Sequence, residues 1–87
     1  MKIDVAKISK VLEKLKKKDI ILFTAVRKKI RQIASYDETA IQHLKNLRHD
    51  VGDYKRVQVG SFILFFRLEG DTIVFERLVH HDEAYRR

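Results

Sequence analysis

The stretch Tyr54–Tyr85, which reads YKRVQVGSFILFFRLEGDTIVFERLVHHDEAY, decides the fold. Apolar and polar residues alternate over positions 54–59, so Arg56 is predicted to lie on the face of a strand opposite to Val57. Positions 62–68 are almost wholly apolar, which is typical of a central strand that is covered on both faces.

Two glycine-containing turns divide this stretch. Gly60-Ser61 and Glu69-Gly70-Asp71 each suit a hairpin, because glycine readily adopts positive φ. Ile73–Val79 is predicted to form a further strand, interrupted by the charged pair Glu76-Arg77. The stretch is therefore predicted to fold into three antiparallel strands.

The N-terminal residues predict a short strand followed by a helix. Positions 2–6 alternate between polar and apolar residues, with Ile3 and Val5 turned inward. The helix is predicted to begin at Ala6 or Lys7, from the apolar spacing of Ile8, Val11, Leu12 and Leu15. The end of this helix is rich in lysine, which suits the negative end of the helix dipole: Lys14, Lys16, Lys17 and Lys18.

A second helix is predicted from Ile20 to about Ala34, with Asp19 as its N-cap. Its apolar residues form one stripe: Leu22, Phe23, Val26, Ile30 and Ile33. The two helices should form an αα-hairpin whose apolar seam covers an antiparallel sheet, so the predicted fold class is α+β. A further short helical segment is predicted from Asp37 to near Leu47.

Length and composition limit what the chain can be. Its 87 residues are enough for one domain, predicted to span positions 1–87, and 45% hydrophobic residues argue against a disordered chain. Cysteine is absent, which excludes disulfides and thiolate metal sites. No apolar run approaches the ~20 residues of a membrane span and no signal peptide is evident, so we expect a cytoplasmic protein without membrane contact.

The charge balance is strongly basic. Nineteen Lys and Arg residues against 12 Asp and Glu residues give a formal net charge of +7. On so small a surface this charge favours a polyanion, above all nucleic acid, or an acidic protein partner. A solvated lysine-rich surface explains the same composition, and composition alone does not separate these interpretations.

The order strand, helix, helix and three antiparallel strands, combined with three motifs, resembles the RelE/ParE superfamily of toxins from toxin–antitoxin operons. Arg56-Val57-Gln58-Val59-Gly60 is similar to the family's Arg-x-Arg-x-Gly strand. Leu44-Lys45-Asn46-Leu47 is similar to the Leu-Lys-x-Leu run that precedes the sheet. The last strand and C-terminal motif are matched by Gly70–Val74, Arg77, His80, Glu83, Ala84, Tyr85 and Arg86.

This resemblance implies a function. The RelE branch consists of cytoplasmic ribonucleases that cut messenger RNA in the ribosomal A site, and the ParE branch poisons DNA gyrase. Both branches work without a metal or other cofactor, and a small antitoxin neutralises each. The expected partners are therefore a RelB-like antitoxin, the ribosome and mRNA.

Metal-free RNA cleavage needs cationic groups for the phosphoryl oxygens and groups that transfer protons. Arg56, which stands where the family has a catalytic basic residue, is predicted to clamp the phosphate. His81 is a candidate proton donor, and Tyr85 could stack on a base or exchange a proton. An exposed strand arginine and a tyrosine packed against the sheet are the structural alternatives.

Further basic residues are predicted to bind phosphate or RNA: Lys55, Arg77, His80 and Arg86. His80 and His81 are adjacent, and neighbours on a strand point to opposite faces, so at most one is expected in a shared groove. His80 could instead be a packed or hydrogen-bonded residue.

Three positions depart from the family pattern. Gln58, Ile63 and His81 stand where arginines are usual. Losing one charged contact to the transition state costs on the order of 10²-fold in rate. The chain is therefore expected to be a slow nuclease, a gyrase-directed relative, or a degenerate toxin that retains only antitoxin binding.

Overall fold

The computed structural model describes residues 2–36 and 54–84. The predicted helix from Asp37 to Leu47 lies outside these ranges, as do Tyr85 and Arg86. The described elements are β1 (Lys2–Asp4), a 3-10 turn (Ala6–Ile8), α1 (Ser9–Lys18), α2 (Ile20–Ala34), β2 (Lys55–Val59), β3 (Phe62–Glu69), β4 (Thr72–His80) and α3 (His81–Ala84).

The strands form a four-stranded sheet in the order β1-β4-β3-β2. β2, β3 and β4 are antiparallel neighbours, which confirms the three predicted antiparallel strands and the α+β class. The sheet is nevertheless mixed rather than wholly antiparallel, because β1 pairs with β4 in parallel, Ile3 opposite Ile73. A strand of three residues carries no sequence signal for the direction in which it pairs.

The αα-hairpin is confirmed. The Asp19 side chain accepts a hydrogen bond from the Leu22 backbone N–H at 3.0 Å, which is the N-cap contact that begins α2. α1 ends on Lys16, Lys17 and Lys18, as expected at the negative end of a helix dipole. Within residues 2–36 and 54–84, neither helix of the hairpin nor α3 is long and apolar enough to cross a bilayer.

The N-terminal strand differs from its prediction in two respects. It ends at Asp4, whose carboxylate accepts a hydrogen bond from the Ala6 backbone N–H at 3.0 Å and so begins the 3-10 turn. Ile3 is 43% exposed rather than turned inward, because β1 is an edge strand, whereas Val5 packs against the core. The α-helix then begins at Ser9, later than the apolar spacing predicted.

The core lies between the helical hairpin and one side of the sheet, named here the helix face. The strand side chains on this face are Lys55, Val57, Val59, Phe62, Leu64, Phe66, Leu68, Ile73, Phe75, Leu78 and His80. Phe66 and Phe75 are fully buried there, with ring centroids 5.7 Å apart. Val26, Ile30 and Ile33 of α2 complete the same cluster, which confirms the predicted stripe.

The other side of the sheet is named the arginine face. Its side chains, from the register of the three antiparallel strands, are Arg56, Gln58, Ile63, Phe65, Arg67, Glu69, Thr72, Val74, Arg77 and Val79. Arg77 belongs to this face because of an irregularity in β4: Phe66 pairs with Phe75 but Phe65 pairs with Arg77, which leaves Glu76 as an extra residue. A bulge of this kind sets two residues of one strand opposite a single residue of the next.

Candidate functional site

Two arginines flank a phenylalanine across the middle of the arginine face. Arg56 of β2 pairs with Phe65 of β3, and Phe65 pairs with Arg77 of β4. Because neighbouring strands are about 4.8 Å apart, the Cα atoms of the two arginines are about 10 Å apart. The Arg77 guanidinium carbon lies 5.6 Å from the centre of the Phe65 ring, within the range of a cation–π contact.

The floor beneath these arginines is apolar. Ile63, Phe65 and Val74 have exposed fractions of 3%, 6% and 5%, although they point away from the helical hairpin and lie outside its cluster. Phe62–Glu69 is therefore a strand with buried apolar residues on both faces, as its run of apolar residues predicted. An apolar floor reduces local screening, so charges next to it act more strongly on a bound anion.

A network of ion pairs borders the arginine pair. The Glu76 carboxylate accepts hydrogen bonds from Lys7 Nζ at 3.1 and 2.9 Å and from Arg67 Nε at 2.7 Å. Arg67 also contacts the Glu69 carboxylate at 2.6 Å. The hydrogen bond from Lys7, and then that from Arg67, holds the pKa of Glu76 below its ordinary value of 4.5, against the opposing effect of burial. The bonds to Glu76 and Glu69 raise the pKa of Arg67, which stays fully protonated.

The two histidines have different environments because β4 ends between them. His80 lies on the helix face, with its ring edge-on to Phe62 at a centroid distance of 5.6 Å. Its Nδ1 accepts a hydrogen bond from the Asp82 backbone N–H at 3.1 Å, so the ring caps the start of α3. This is the packed, hydrogen-bonded alternative that the sequence left open for His80.

His81 begins α3 beside the β2–β3 turn. Its backbone N–H donates to the Ser61 carbonyl at 2.7 Å, and its side chain is half exposed, with Nδ1 3.8 Å from an Asp82 oxygen. It lies four positions after Arg77, which corresponds to about 13 Å along an extended strand. His81 therefore lies at one end of the sheet and not within the arginine pair.

The structure brings only some of the predicted site residues together. Arg56 and Arg77 share the arginine face, whereas Lys55 points to the other side of β2 and is 4% exposed. Lys55 pairs with Phe66, which lies on the helix face. Lys55 is therefore not part of a phosphate site on the arginine face. Tyr85 and Arg86 lie outside the described ranges, so their predicted roles stay predictions.

Sequence reasoning missed three residues on or next to this face: Phe65, Arg67 and Glu76, the last of which contacts Arg67. Phe65 is one of several phenylalanines in an apolar run, and nothing in the run distinguishes it from Phe66. Glu76 did leave a signal, because two charged residues in succession interrupt the apolar pattern of β4, and such an interruption is typical of a bulge.

A groove of about 420 Å³ lies on the other side of the molecule, between α1, α2 and β1. Its apolar lining consists of Ile3, Val5, Leu12, Phe23 and Ile30. Its polar border consists of Ser9, Glu13, Lys16, Arg27 and Arg31. Three cations and one carboxylate give this border a net positive charge.

Comparison with known proteins identifies the family. The chain is 36% identical over 83 residues to a protein of Methanocaldococcus jannaschii named "Putative toxin RelE4", and the alignment covers 92% of this chain and 84% of that protein. No protein-family model matches the chain, and no solved structure matches it. Identity of this extent over nearly the whole length, together with the predicted and observed order of elements, shows that the chain belongs to the RelE family of toxins.

Proposed function

We propose that the protein is a ribosome-dependent mRNA endoribonuclease that works without a metal ion and acts as the toxin of a toxin–antitoxin pair. The observation that carries this proposal is the placement of Arg56 and Arg77 on either side of Phe65 on one face of the sheet. Two guanidinium groups about 10 Å apart at the backbone can converge on a single phosphodiester, since each side chain is long enough to reach the middle.

The reaction assigns different roles to arginines and to proton carriers. The 2′-hydroxyl loses its proton and attacks the adjacent phosphorus, a 2′,3′-cyclic phosphate forms, and the 5′-oxygen leaves after gaining a proton. An arginine stays protonated at any relevant pH, so Arg56 and Arg77 serve to neutralise charge on the phosphoryl oxygens. Proton transfer then falls to other groups. Tyr85 is our candidate, whereas His81, about 13 Å from Arg77 at the end of the sheet, could act only on a substrate oxygen that reaches that end.

The neutral row next to the arginines predicts a slow enzyme. Gln58, Ile63 and Val79 lie side by side in the register, and Ile63 is 3% exposed within the apolar floor. Where the family pattern has arginines, this row contributes no positive charge. The rate should therefore fall below that of a relative with the full set of arginines, by on the order of 10²-fold for each lost contact.

Translation extracts test the activity directly. Purified toxin is added to a programmed extract, and primer extension maps new 5′ ends on the message. We expect cuts at positions set by the ribosome, which disappear with Arg56→Ala and persist with Lys28→Ala, a charge removal on the exposed surface of α2. Intact messages at saturating protein would exclude the nuclease.

A non-catalytic antitoxin-binding protein is the second candidate. It is favoured by Gln58 and Ile63, which remove two family arginines from the arginine face. This candidate predicts tight antitoxin binding without growth arrest when the protein is induced in cells. Growth arrest that Arg56→Ala abolishes would exclude it.

The groove between α1, α2 and β1 is the surface that we propose for the antitoxin. An apolar lining with a net positive border fits the apolar side of an acidic amphipathic helix, which would pack Leu12 and Phe23 and pair with Lys16 and Arg27. RelE membership implies an antitoxin in general; its location in this groove is our proposal.

A further inference from the structure

The position of Arg77 depends on the extra residue in β4. In a regular strand, side chains two positions apart share a face, so Phe75 and Arg77 would point the same way. Instead, Phe75 is fully buried against the helices and Arg77 lies over Phe65 on the arginine face. The inserted residue, Glu76, is what allows one strand to supply both a core side chain and a candidate phosphate contact.

Glu76 is held from two directions. The 3-10 turn contributes Lys7, whose ammonium group contacts both carboxylate oxygens, and β3 contributes Arg67, whose Nε contacts one of them. The Glu76 side chain is only 12% exposed, and its bond from Arg67 is partly buried, whereas the Lys7 side chain that holds it from the other direction is 53% exposed. A bulge disrupts the ladder locally, and side-chain contacts of this kind hold it at one position along the strand.

We propose that Glu76 is a positioning residue: anchored by Lys7 and Arg67, it holds the bulge that presents Arg77 beside Arg56 on the arginine face. The functional part of this inference rests on the proposed nuclease, in which Arg77 contacts the scissile phosphate. Its structural part does not, because the placement of Arg77 over the Phe65 ring is measurable in the protein alone.

The structural arm uses NMR of the Arg77 side chain. Its δ-proton and Nε–H resonances should be shifted by the Phe65 ring in the wild-type protein. In Glu76→Ala we expect them to move to the values of an exposed arginine, with a smaller movement in Lys7→Met. The matched control is Asp71→Asn, which removes the charge of an exposed carboxylate in the turn between β3 and β4. That carboxylate pairs with Lys2 and does not contact the bulge. Unchanged Arg77 resonances in folded Glu76→Ala would overturn the inference.

Glu76→Gln covers the case in which the alanine variant fails to fold. Glutamine keeps the volume and one acceptor oxygen but removes the charge that attracts Lys7 and Arg67. The same movement of the Arg77 resonances is expected, by a smaller amount, and its absence in a folded Glu76→Gln protein would equally overturn the inference.

The functional arm is a double-mutant cycle on RNA cleavage in the translation extract. Displacement of a contact group by about 1 Å can cost up to about 10²-fold, so we expect Glu76→Ala to lower cleavage at least tenfold in the wild-type background. In an Arg77→Ala background the same change should cost less than twofold, because the group that Glu76 positions is absent. Effects that multiply would contradict a positioning role. An inactive wild-type protein would instead refute the proposed nuclease, and the NMR arm would still decide the role of Glu76.

Discussion

The two faces of the sheet differ in how their residues are held in place. On the helix face, Phe66 and Phe75 lie in a cluster that the hairpin covers, and their positions follow from strand alternation and the helical stripe. On the arginine face, Arg77 reaches its position through a bulge whose extra residue is anchored by ion pairs. Packing thus organises one face, while a local irregularity and electrostatics organise the other.

The largest effect should come from the core, and Phe65 and Phe66 make a matched pair because they are neighbours on opposite faces. Phe66→Ala, at a fully buried position, is expected to cost about 3–5 kcal/mol in unfolding free energy. Phe65→Ala should cost at least about 1 kcal/mol less, since the Arg77 side chain can settle into the space. Urea unfolding of both variants measures the difference, and equal costs would show that the two faces are packed alike.

The next effect concerns activity rather than stability. Arg56→Ala should lower the cleavage rate by on the order of 10²-fold, because a cationic contact to the transition state is lost. Arg56→Lys should recover part of this rate, since it restores the charge but not the two-pronged geometry. Single-turnover cleavage measures the rates, with urea unfolding as the control for stability. If Arg56→Ala lowers the free energy of unfolding as well as the activity, the role of Arg56 is to stabilise the folded protein and not to contact the transition state.

Because the pKa of Glu76 is lowered in the folded protein, the free energy of unfolding should depend on pH. The ionised form of Glu76 stabilises the fold above its ordinary pKa of 4.5, and this contribution is lost as the pH falls through the lower folded value. Glu76→Gln should cost about 1 kcal/mol at pH 7 and progressively less as the pH falls below 4.5. Unfolding free energies of both proteins from pH 3 to pH 7 test this, and a difference that does not change with pH would contradict it.

The smallest effect tests the groove on the helical side. Ile3 borders the groove and is 43% exposed, whereas Ile21 is 81% exposed and is not part of its lining. Ile3→Thr should weaken antitoxin binding about threefold to tenfold, corresponding to about 1 kcal/mol of lost apolar contact. Ile21→Thr should leave the affinity unchanged. Calorimetry with the cognate antitoxin, to be sought first in the reading frame next to the toxin gene, measures both affinities. Equal effects would place the antitoxin elsewhere.

Sequence reasoning succeeded where one local pattern determines one structural feature. The N-cap at Asp19, the stripe of α2 and the three antiparallel strands all follow from periodicity or from turn chemistry, and all are confirmed. It failed where pairing partners decide the outcome. Ile3 was predicted to lie inside, but its strand is at the edge of the sheet, and Lys55 was grouped with Arg56 although adjacent strand residues point to opposite sides.

The sequence alone therefore determined the class of fold and the helical hairpin. It also determined that Arg56 lies on the side of β2 that carries the polar residues of the alternating pattern. Only the tertiary structure decided which cations share a face. That choice depends on a single unpaired residue, Glu76, which shifts the rest of β4 by one position relative to β3. The shift is stabilised by Lys7, 69 positions away in the chain, and contacts over such a distance in sequence leave no periodic signal from which they could be predicted.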